Sequence, residues 1–304
     1  MLIARITRPV VVVPALAAVV AVSAGVFFVT HGAAPAASAD LTAAATRASV
    51  TPPALPGAPS ISLKTVKSGI QNDVRGVRMA SLSQNWAGYV ASGTRFRYVQ
   101  ATFTVPSMNC KKTPGTAKAP AMFADWVGLD GLAGAGLITV EQDGISGQCV
   151  RGAASYNAWW ETYPKAPVYP RMTVSPGNVI KVTVYYSSAA RQYQLTLRDL
   201  SNGEGFTTSR RCGARSCRNA SAEVITESPS VAVNSNRLYP FADCGTSSFR
   251  NIAVTDAAGH RGGFASADWR NTELVMADAA SHVKAATSGL SHGTAFKTVW
   301  ERAN

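Results

Sequence analysis

The sequence predicts an all-β fold, a β-sandwich of two curved antiparallel sheets packed in a single domain. Three observations lead to this prediction. Short β-branched and aromatic runs recur from about Ser81 onwards, separated by Gly, Pro, Asn and Asp. Long helical periodicity is nearly absent, and the spacing of the runs does not fit βαβ units. No internal repeat is present, which argues against a propeller or a solenoid.

The strands are predicted, in chain order, at Val99–Val105, Phe123–Leu129, Leu137–Gln142, Tyr156–Tyr163, Met172–Ser175, Val179–Tyr186, Tyr193–Leu200, Ala222–Glu227, Asn251–Thr255, Glu273–Ala277 and Thr294–Trp300. Two of these runs, Val179–Tyr186 and Tyr193–Leu200, alternate well, which is typical of strands with one buried face. Asn202-Gly203 predicts a tight turn that leads into a further strand over Phe206–Ser209. Only Asp278–Thr287 has a pattern that could form a short helix.

The first residues have the layout of a secretory signal. Arg5 and Arg8 precede an apolar run from Pro9 to Val29, and Ala37-Ser38-Ala39 supplies the small residues of a cleavage site. We therefore expect residues 1–39 to be a signal peptide and the protein to be secreted. The competing interpretation is a retained anchor, because the apolar run approaches the length of a membrane span. Without that anchor we expect no stable membrane partner.

Residues 40–79 are rich in Ala, Pro, Ser and Thr and have weak periodicity. This composition predicts a linker or a pro-segment that is largely disordered and that is trimmed after export. Residues 80–304 are then the sandwich domain, which we expect to be a monomer.

The composition excludes two broad classes of protein. Of the 304 residues, 46% are hydrophobic and only 15% are charged, which rules out a disordered polyelectrolyte. No second long apolar run follows the first, which rules out a polytopic membrane protein. The net charge is +12, but the Lys and Arg residues are scattered along the chain. We interpret them as a basic surface and expect no nucleic-acid partner.

The five cysteines fit an oxidising compartment. Cys212 and Cys217 enclose a short loop and could close a local disulfide, while Cys110 and Cys149 could form a longer one, leaving Cys244 over. Zinc binding by Cys212 and Cys217 is the alternative. No pair of His or Cys residues with ligand spacing stands near them, so we expect no metal.

Several common catalytic motifs are missing. The chain has no G-x-S-x-G elbow, H-E-x-x-H, P-loop or Rossmann fingerprint. His260, His282 and His292 follow the predicted signal, and we interpret them as exposed polar residues and not as members of a catalytic triad.

Five segments concentrate aromatic, amide and acidic residues: Asn85–Gly88, Asp125–Gly131, Val140–Gly144, Ala158–Pro164 and Ala222–Glu227. In a strand, Glu161 shares its face with Trp159 and Tyr163, which suits a groove lined by rings. Acids interleaved with rings are hard to explain as core, because a buried unpaired carboxylate is costly.

The ordered motifs N-W-A-G, W-V-G-L-D-G, E-Q-D-G, A-W-W-E-x-Y-P and A-E-V-I-T-E resemble those of the eqolisin family of glutamic peptidases. The closing run Phe296–Trp300 is similar to that family's last strand. The resemblance runs from about Asn85 to Trp300 and implies a concanavalin-like sandwich with a substrate cleft on one concave face. It also implies a secreted endopeptidase that acts on proteins or peptides.

The resemblance implies a catalytic pair formed by Gln142 and Glu227, with Gln148 as the alternative glutamine, placed after the strand and beside Cys149. The substrate-binding residues that it implies are Trp126, Asp130, Trp159, Glu161, Tyr163 and Glu223. Glu227 would act as general base and then general acid on a bound water. Gln142 would stabilise the oxyanion, so no metal or cofactor is required.

Two other functions would use the same residues. A carbohydrate-binding sandwich would use Trp126, Trp159 and Trp160 as stacking platforms. A glycoside hydrolase would use two carboxylates, such as Glu161 and Glu227, facing each other across a cleft.

Overall fold

The protein is described by a computed structural model that covers residues 69–73, 76–132, 139–232, 235 and 237–304. The predicted signal peptide and residues 40–68 of the predicted linker lie outside the described residues. The described part holds sixteen strands and no α-helix. The strands are β1 (Gly69–Asp73), β2 (Gly76–Ser83), β3 (Trp86–Ser92), β4 (Phe96–Thr104), β5 (Ala121–Leu129), β6 (Val140–Val150), β7 (Ala153–Tyr163), β8 (Val179–Ser187), β9 (Gln192–Asp199), β10 (Gly205–Arg210), β11 (Ser221–Glu227), β12 (Thr246–Asp256), β13 (Arg261–Gly262), β14 (Arg270–Ala277), β15 (Val283–Thr287) and β16 (Phe296–Trp300).

The strands form one continuous sheet in the order β10-β9-β8-β4-β12-β16-β15-β14-β3-β11-β5-β6-β7. Neighbouring strands on this path are antiparallel, whereas β2 runs parallel to β14. The sheet folds back on itself, because β5 and β6 lie against β4, β8 and β9 without hydrogen-bonded pairing. The result is an all-β sandwich that is nearly closed, which confirms the predicted fold class.

The sandwich core lies between the two layers. Val127 and Ile145 enter it from one layer, and Val182 and Leu195 enter it from the other. Apolar surface removed from water in this way stabilises the fold by about 25 cal/mol per Å². Strand β9 shows the predicted alternation, since Leu195 is buried and the neighbouring Gln194 is exposed.

A second apolar cluster lies on the opposite face of the layer that contains β3, β11, β5, β6 and β7. We call this face the second face of that layer. Its buried apolar residues are Trp86, Val90, Met122, Ala124, Trp126, Val140, Trp159, Tyr163, Ile225 and Leu274. Tyr169 and Tyr239 pack against them from loops. A sheet that buries both faces can hold polar side chains away from bulk water, and this layer does so on its second face.

Most of the predicted strands are found, and the tight turn at Asn202-Gly203 is confirmed. The strand predicted at Met172–Ser175 is wrong, because Thr173 N–H donates to the Glu204 carboxylate and Ser175 N–H donates to Asn178 Oδ1. These side-chain acceptors replace the neighbouring strand that the run would need.

The short helix predicted at Asp278–Thr287 is also wrong. The Asp278 carboxylate accepts the backbone N–H groups of Ala280 and His282, which closes a turn, and β15 follows at Val283–Thr287.

Two strands, β1 and β2, cover residues 69–73 and 76–83, so the end of the predicted linker is extended chain paired as a hairpin.

The disulfides follow the expected pairing. Cys110 is joined to Cys149, and Cys212 is joined to Cys217, while Cys244 is a buried free cysteine. The Cys212 and Cys217 sulfurs therefore bond to each other and are not zinc ligands.

Within the described ranges, no helix has the length and apolar character that crossing a membrane requires.

Candidate active site

Strand register places the acidic and amide side chains of the sequence motifs on the second face. Glu223 of β11 pairs with Gly128 of β5, Gly128 pairs with Gln142 of β6, and Gln142 pairs with Glu161 of β7. Paired residues point to the same side of a sheet. One row across four strands therefore carries Glu223, Gln142 and Glu161 on the second face.

Glu227 lies on the same face, four residues beyond Glu223 on β11. Since side chains alternate with a period of two, both acids project to the second face, about 13 Å apart along the strand. The row between them contains Trp126, which stands next to Gly144 of β6, and beyond Gly144 stands Trp159 of β7.

Two glycines make room for the Trp126 indole. A Cβ on Gly144 would lie 2.6 Å from the Trp126 Cβ, and a Cβ on Gly128 would lie 2.9 Å from the Trp126 ring. Non-bonded carbon atoms do not approach this closely, so a side chain at either position would displace Trp126. Trp86 packs edge-on against Trp126, with ring centroids 4.8 Å apart. The two indoles are both fully buried.

The Glu227 carboxyl group is held by the Trp126 indole and by the Asn85 amide. Trp126 Nε1 donates to Glu227 Oε2 at 2.8 Å, and Asn85 Nδ2 donates to Glu227 Oε1 at 3.2 Å. Burial raises the pKa of Glu227 to about 7, against the opposing effect of these hydrogen bonds. Near neutral pH the group therefore exists as both carboxylate and acid.

The Gln142 amide is held by Glu161 of the neighbouring strand. Its Nε2 donates to Glu161 Oε2 at 2.6 Å. Its Oε1 is buried and has no hydrogen-bond partner among the described residues. Buried amide oxygens are nearly always paired, so this acceptor points to a ligand or water.

Gln142 and Glu227 make no direct hydrogen bond with each other in the described contacts. The structure brings Gln142 to Glu161 and brings Glu227 to Trp126, while Trp126 stands in the row between them. The row of Trp126 therefore separates the row of Gln142 from the row of Glu227 on the second face.

The remaining predicted substrate residues fall into two groups. Trp159 and Tyr163 are buried in the cluster on the second face, and Glu223 is fully buried on the same face. Burial raises the pKa of Glu223 well above its ordinary value, because the low-dielectric surroundings disfavour the charged form.

Asp130 stands apart from this group. It follows β5 with a φ of 64°, and its carboxylate accepts the backbone N–H groups of Arg218, Asn219 and Ala220 at 2.8, 2.7 and 2.6 Å. Thr139 Oγ1 donates to it as well, at 3.2 Å. Its contact with substrate stays a prediction, and the bonds in the structure show a carboxylate that fixes the entry into β11.

The prediction that Gln148 follows the strand is wrong. Strand β6 runs from Val140 to Val150 and contains Gln148, because it pairs with β7 along its whole length. Gln148 faces Ser155, six positions from Gln142, which is about 20 Å along the strand. The two glutamines therefore serve different ends of β6.

The resemblance did not assign a role to Asn85, which proves to be a hydrogen-bond donor to Glu227. It stands in the N-W-A-G motif, directly before Trp86, so the motif was the available signal.

The predicted exposure of the histidines is confirmed. Nδ1 of His260 and of His282 bonds to the aspartate four residues earlier, on surface turns.

One group with metal-ligand atoms is present in the described part of the chain, at Glu141, Cys212 and Cys217. Both sulfurs belong to the disulfide, and Glu141 Oε1 accepts the N–H of Gly213 at 3.1 Å. A disulfide sulfur is not a thiolate ligand. This group therefore ties a loop to β6 and is not a metal site.

Comparisons with known proteins point in one direction. The sequence model of the peptidase A4 family matches residues 84–293. Aspergillopepsin-2 from Aspergillus niger is 29% identical over 220 residues, which cover 67% of this chain and 72% of that protein. Scytalidopepsin B from Scytalidium lignicola is 30% identical over 132 residues, which cover 43% of this chain and 45% of that protein.

The fold has a solved counterpart. A crystal structure of scytalido-glutamic peptidase with a transition state analog inhibitor superposes with a TM-score of 0.59 at 24% identity. The similarity covers 72% of this chain and 98% of that one. The shared architecture is the curved β-sandwich.

Proposed function

The chain belongs to the peptidase A4 (eqolisin) family of glutamic peptidases and is a peptide hydrolase, and from that premise we propose that Gln142 and Glu227 are its catalytic pair. One observation carries the proposal. The unpartnered oxygen of Gln142 and the Glu227 carboxyl group, whose pKa is about 7, are buried on one face of the sheet with Trp126 between them. The alternative functions, carbohydrate binding and glycoside hydrolysis, have no such support from the family.

In the proposed reaction, the Glu227 carboxylate removes a proton from a water molecule that attacks the peptide carbonyl carbon. The same group, now an acid, returns the proton to the leaving nitrogen. A pKa of about 7 suits both steps, because the carboxylate and the acid are both populated near neutral pH.

Gln142 supplies the fixed polar groups. Its oxygen accepts a hydrogen bond from the attacking water, while one of its two amide hydrogens remains for the oxyanion, because the other is taken by Glu161. A preorganised donor of this kind contributes about 3–4 kcal/mol to transition-state stabilisation. Glu161 thereby fixes which end of the amide faces the substrate.

The groove proposed for the peptide is lined by the rings of Trp159 and Tyr163 on β7. Glu223 stands in the same row as Gln142, and its carboxyl group, when it carries its proton, donates a hydrogen bond to a peptide carbonyl. These side chains would hold the backbone of a protein or peptide substrate across the row, as an endopeptidase requires.

The test is protein digestion by the wild type, Glu227→Gln and Gln142→Ala. We expect Glu227→Gln to lose activity by at least about 10³-fold, because the amide cannot take the proton from water or return it to the leaving nitrogen. Gln142→Ala should lose about 10²–10³-fold. Glu301→Gln and Gln194→Ala, both on the surface, are the matched controls. Full activity in Glu227→Gln would refute the proposed pair.

We further propose that the protein is secreted, with residues 1–39 removed as a signal peptide and residues 40–79 trimmed later. The layout of the first 39 residues supports this. N-terminal sequencing of the active protein from the culture medium should find a start beyond Ala39. Active protein that retains Met1 in the membrane fraction would instead support the anchor.

A further inference from the structure

A surface cavity of about 420 Å³ lies beside the end of β11 that carries Glu227. Its walls include Gln84, Leu238, Asp278 and Lys284. Cavities of this size accommodate a side chain or a small ligand. The proposed catalytic pair does not use any of these residues.

Lys284 is the unusual member of this wall. It exposes only 5% of its surface, and its Nζ lies 3.5 Å from Ser228 Oγ. Among the residues that the structure describes, no carboxylate lies within salt-bridge distance of this ammonium group. A buried ammonium without a counter-ion is costly, so a bound anion would be favoured here.

Asp278 does not supply that counter-ion. Its carboxylate accepts the backbone N–H groups of Ala280 and His282 and bonds to the His282 ring at 2.9 Å. It is committed to its own turn and acts on Lys284 only at longer range. Burial lowers the pKa of Lys284 to about 8, against the attraction of Asp278, so the ammonium form prevails at neutral pH and below.

Three residues that line the cavity connect it to the proposed active site, one through a hydrogen bond and two through their neighbours in the sequence. Ser228, the neighbour of Lys284, directly follows Glu227. Gln84 precedes Asn85, which donates to Glu227. Leu238 precedes Tyr239, which packs on the apolar cluster of the second face. The cavity therefore adjoins the site at its Glu227 end.

We propose that this cavity is a substrate subsite in which Lys284 binds a carboxylate of the peptide. The carboxylate is either an acidic side chain near the cleaved bond or the free C-terminus of the peptide. The inference rests on the proposed function, because it assumes that the peptide crosses the second face between Gln142 and Glu227.

The test uses two series of synthetic peptides. In the first, capped at both ends, Glu or Gln occupies each position around the cleaved bond in turn. In the second, Gln peptides of decreasing length end in a free carboxylate or an amide. The ratio of kcat/KM between acid and amide peptides is measured for the wild type, Lys284→Met, Lys284→Arg and the control Lys297→Met, which changes an exposed lysine.

We expect the wild type to prefer the acid about tenfold or more at one position of one series, because a charged hydrogen bond of this kind is worth at least a factor of ten. Lys284→Met should lose the preference while still cleaving the amide peptides, and Lys284→Arg should keep part of it. Lys297→Met should behave as the wild type. The series that shows the preference identifies the source of the carboxylate.

No preference in the wild type, or an undiminished preference in Lys284→Met, would overturn the inference. Failure of the proposed function is recognised separately, because then Glu227→Gln keeps full activity while the Lys284 variants can still be compared. If the wild type cleaves neither series, the binding of acid and amide peptides to the wild type and to Lys284→Met replaces the ratio of kcat/KM. Binding that does not distinguish acid from amide peptides would also refute the subsite. Thermal melting of each variant checks its folding.

Discussion

At the scale of single residues, Trp126 links the two halves of the proposed site. Its indole N–H donates to Glu227, and its ring fills the space above Gly128, next to Gln142. The geometry of the Glu227 carboxyl group therefore depends on a side chain that has no acid–base chemistry of its own.

We predict that Trp126→Phe raises the pKa of Glu227, because the lost hydrogen bond stabilises the carboxylate. In the profile of kcat/KM against pH, the apparent pKa assigned to Glu227 should move upwards, and the maximum should fall about tenfold or more. Trp300→Phe, which removes an indole donor to the Phe241 carbonyl, is the control. An unmoved apparent pKa in Trp126→Phe would contradict this role.

At this scale the sequence predicted which acidic and aromatic side chains share a face of the sheet. A period of two on β11 and β7 was enough to place Glu223 with Glu227, and Glu161 with Trp159, on common faces. The bonds of Asp130 to residues 218–220 could not be predicted, because they join a strand end to a loop about ninety residues later. Local patterns carry no information about such a contact.

At the scale of elements, the two disulfides close loops of very different length. Cys110 and Cys149 are 39 residues apart, whereas Cys212 and Cys217 are 5 apart. The entropy that a disulfide removes from the unfolded chain grows with the length of the closed loop.

We predict that the Cys110→Ala/Cys149→Ala protein loses about 4 kcal/mol of stability and the Cys212→Ala/Cys217→Ala protein about 2 kcal/mol. Urea denaturation of the two double variants measures the difference. The Cys244→Ala protein, in which both bridges remain, controls for removal of a buried cysteine. Equal losses in the two double variants would contradict the loop-length explanation.

The elements that the sequence missed share a physical cause. Strand β15 pairs with β14 and β16, and these long-range bonds outweigh the weak helical pattern of Asp278–Thr287. Strand β6 extends far beyond the predicted Leu137–Gln142 run because β5 and β7 supply partners on both sides. β-Structure depends on partners that a local window does not contain.

At the scale of the whole molecule, buried acids set the response to pH. Burial raises the pKa of Asp125 to about 7, and it raises the pKa of Glu141 and Asp143 well above their ordinary values. Each of these groups therefore keeps its proton to a higher pH in the folded protein than in the unfolded chain. The stability that they contribute is complete below the unfolded-state pKa near 4 and is lost as the pH rises through the folded-state pKa.

We predict that stability falls from acidic to neutral pH, with a slope of up to about 1.4 kcal/mol per pH unit for each such group. Asp143→Asn should flatten this slope, because both oxygens of Asp143 are buried without a partner in the described part of the chain. Urea midpoints at several pH values measure it. Asp268→Asn, at an exposed position, should keep the wild-type slope, and parallel curves for Asp143→Asn would refute the assignment.

The order of strands in the sheet also controls when the protein can become active during its synthesis. Strand β3 lies between β11 and β14, and β16 joins β12 to β15. The ribosome therefore releases Trp86 and Asn85 nearly two hundred residues before the strands that complete their layer. Pairing over such distances is slow. The nascent chain therefore carries Asn85 and Trp86 long before it contains the strands that complete the layer around them.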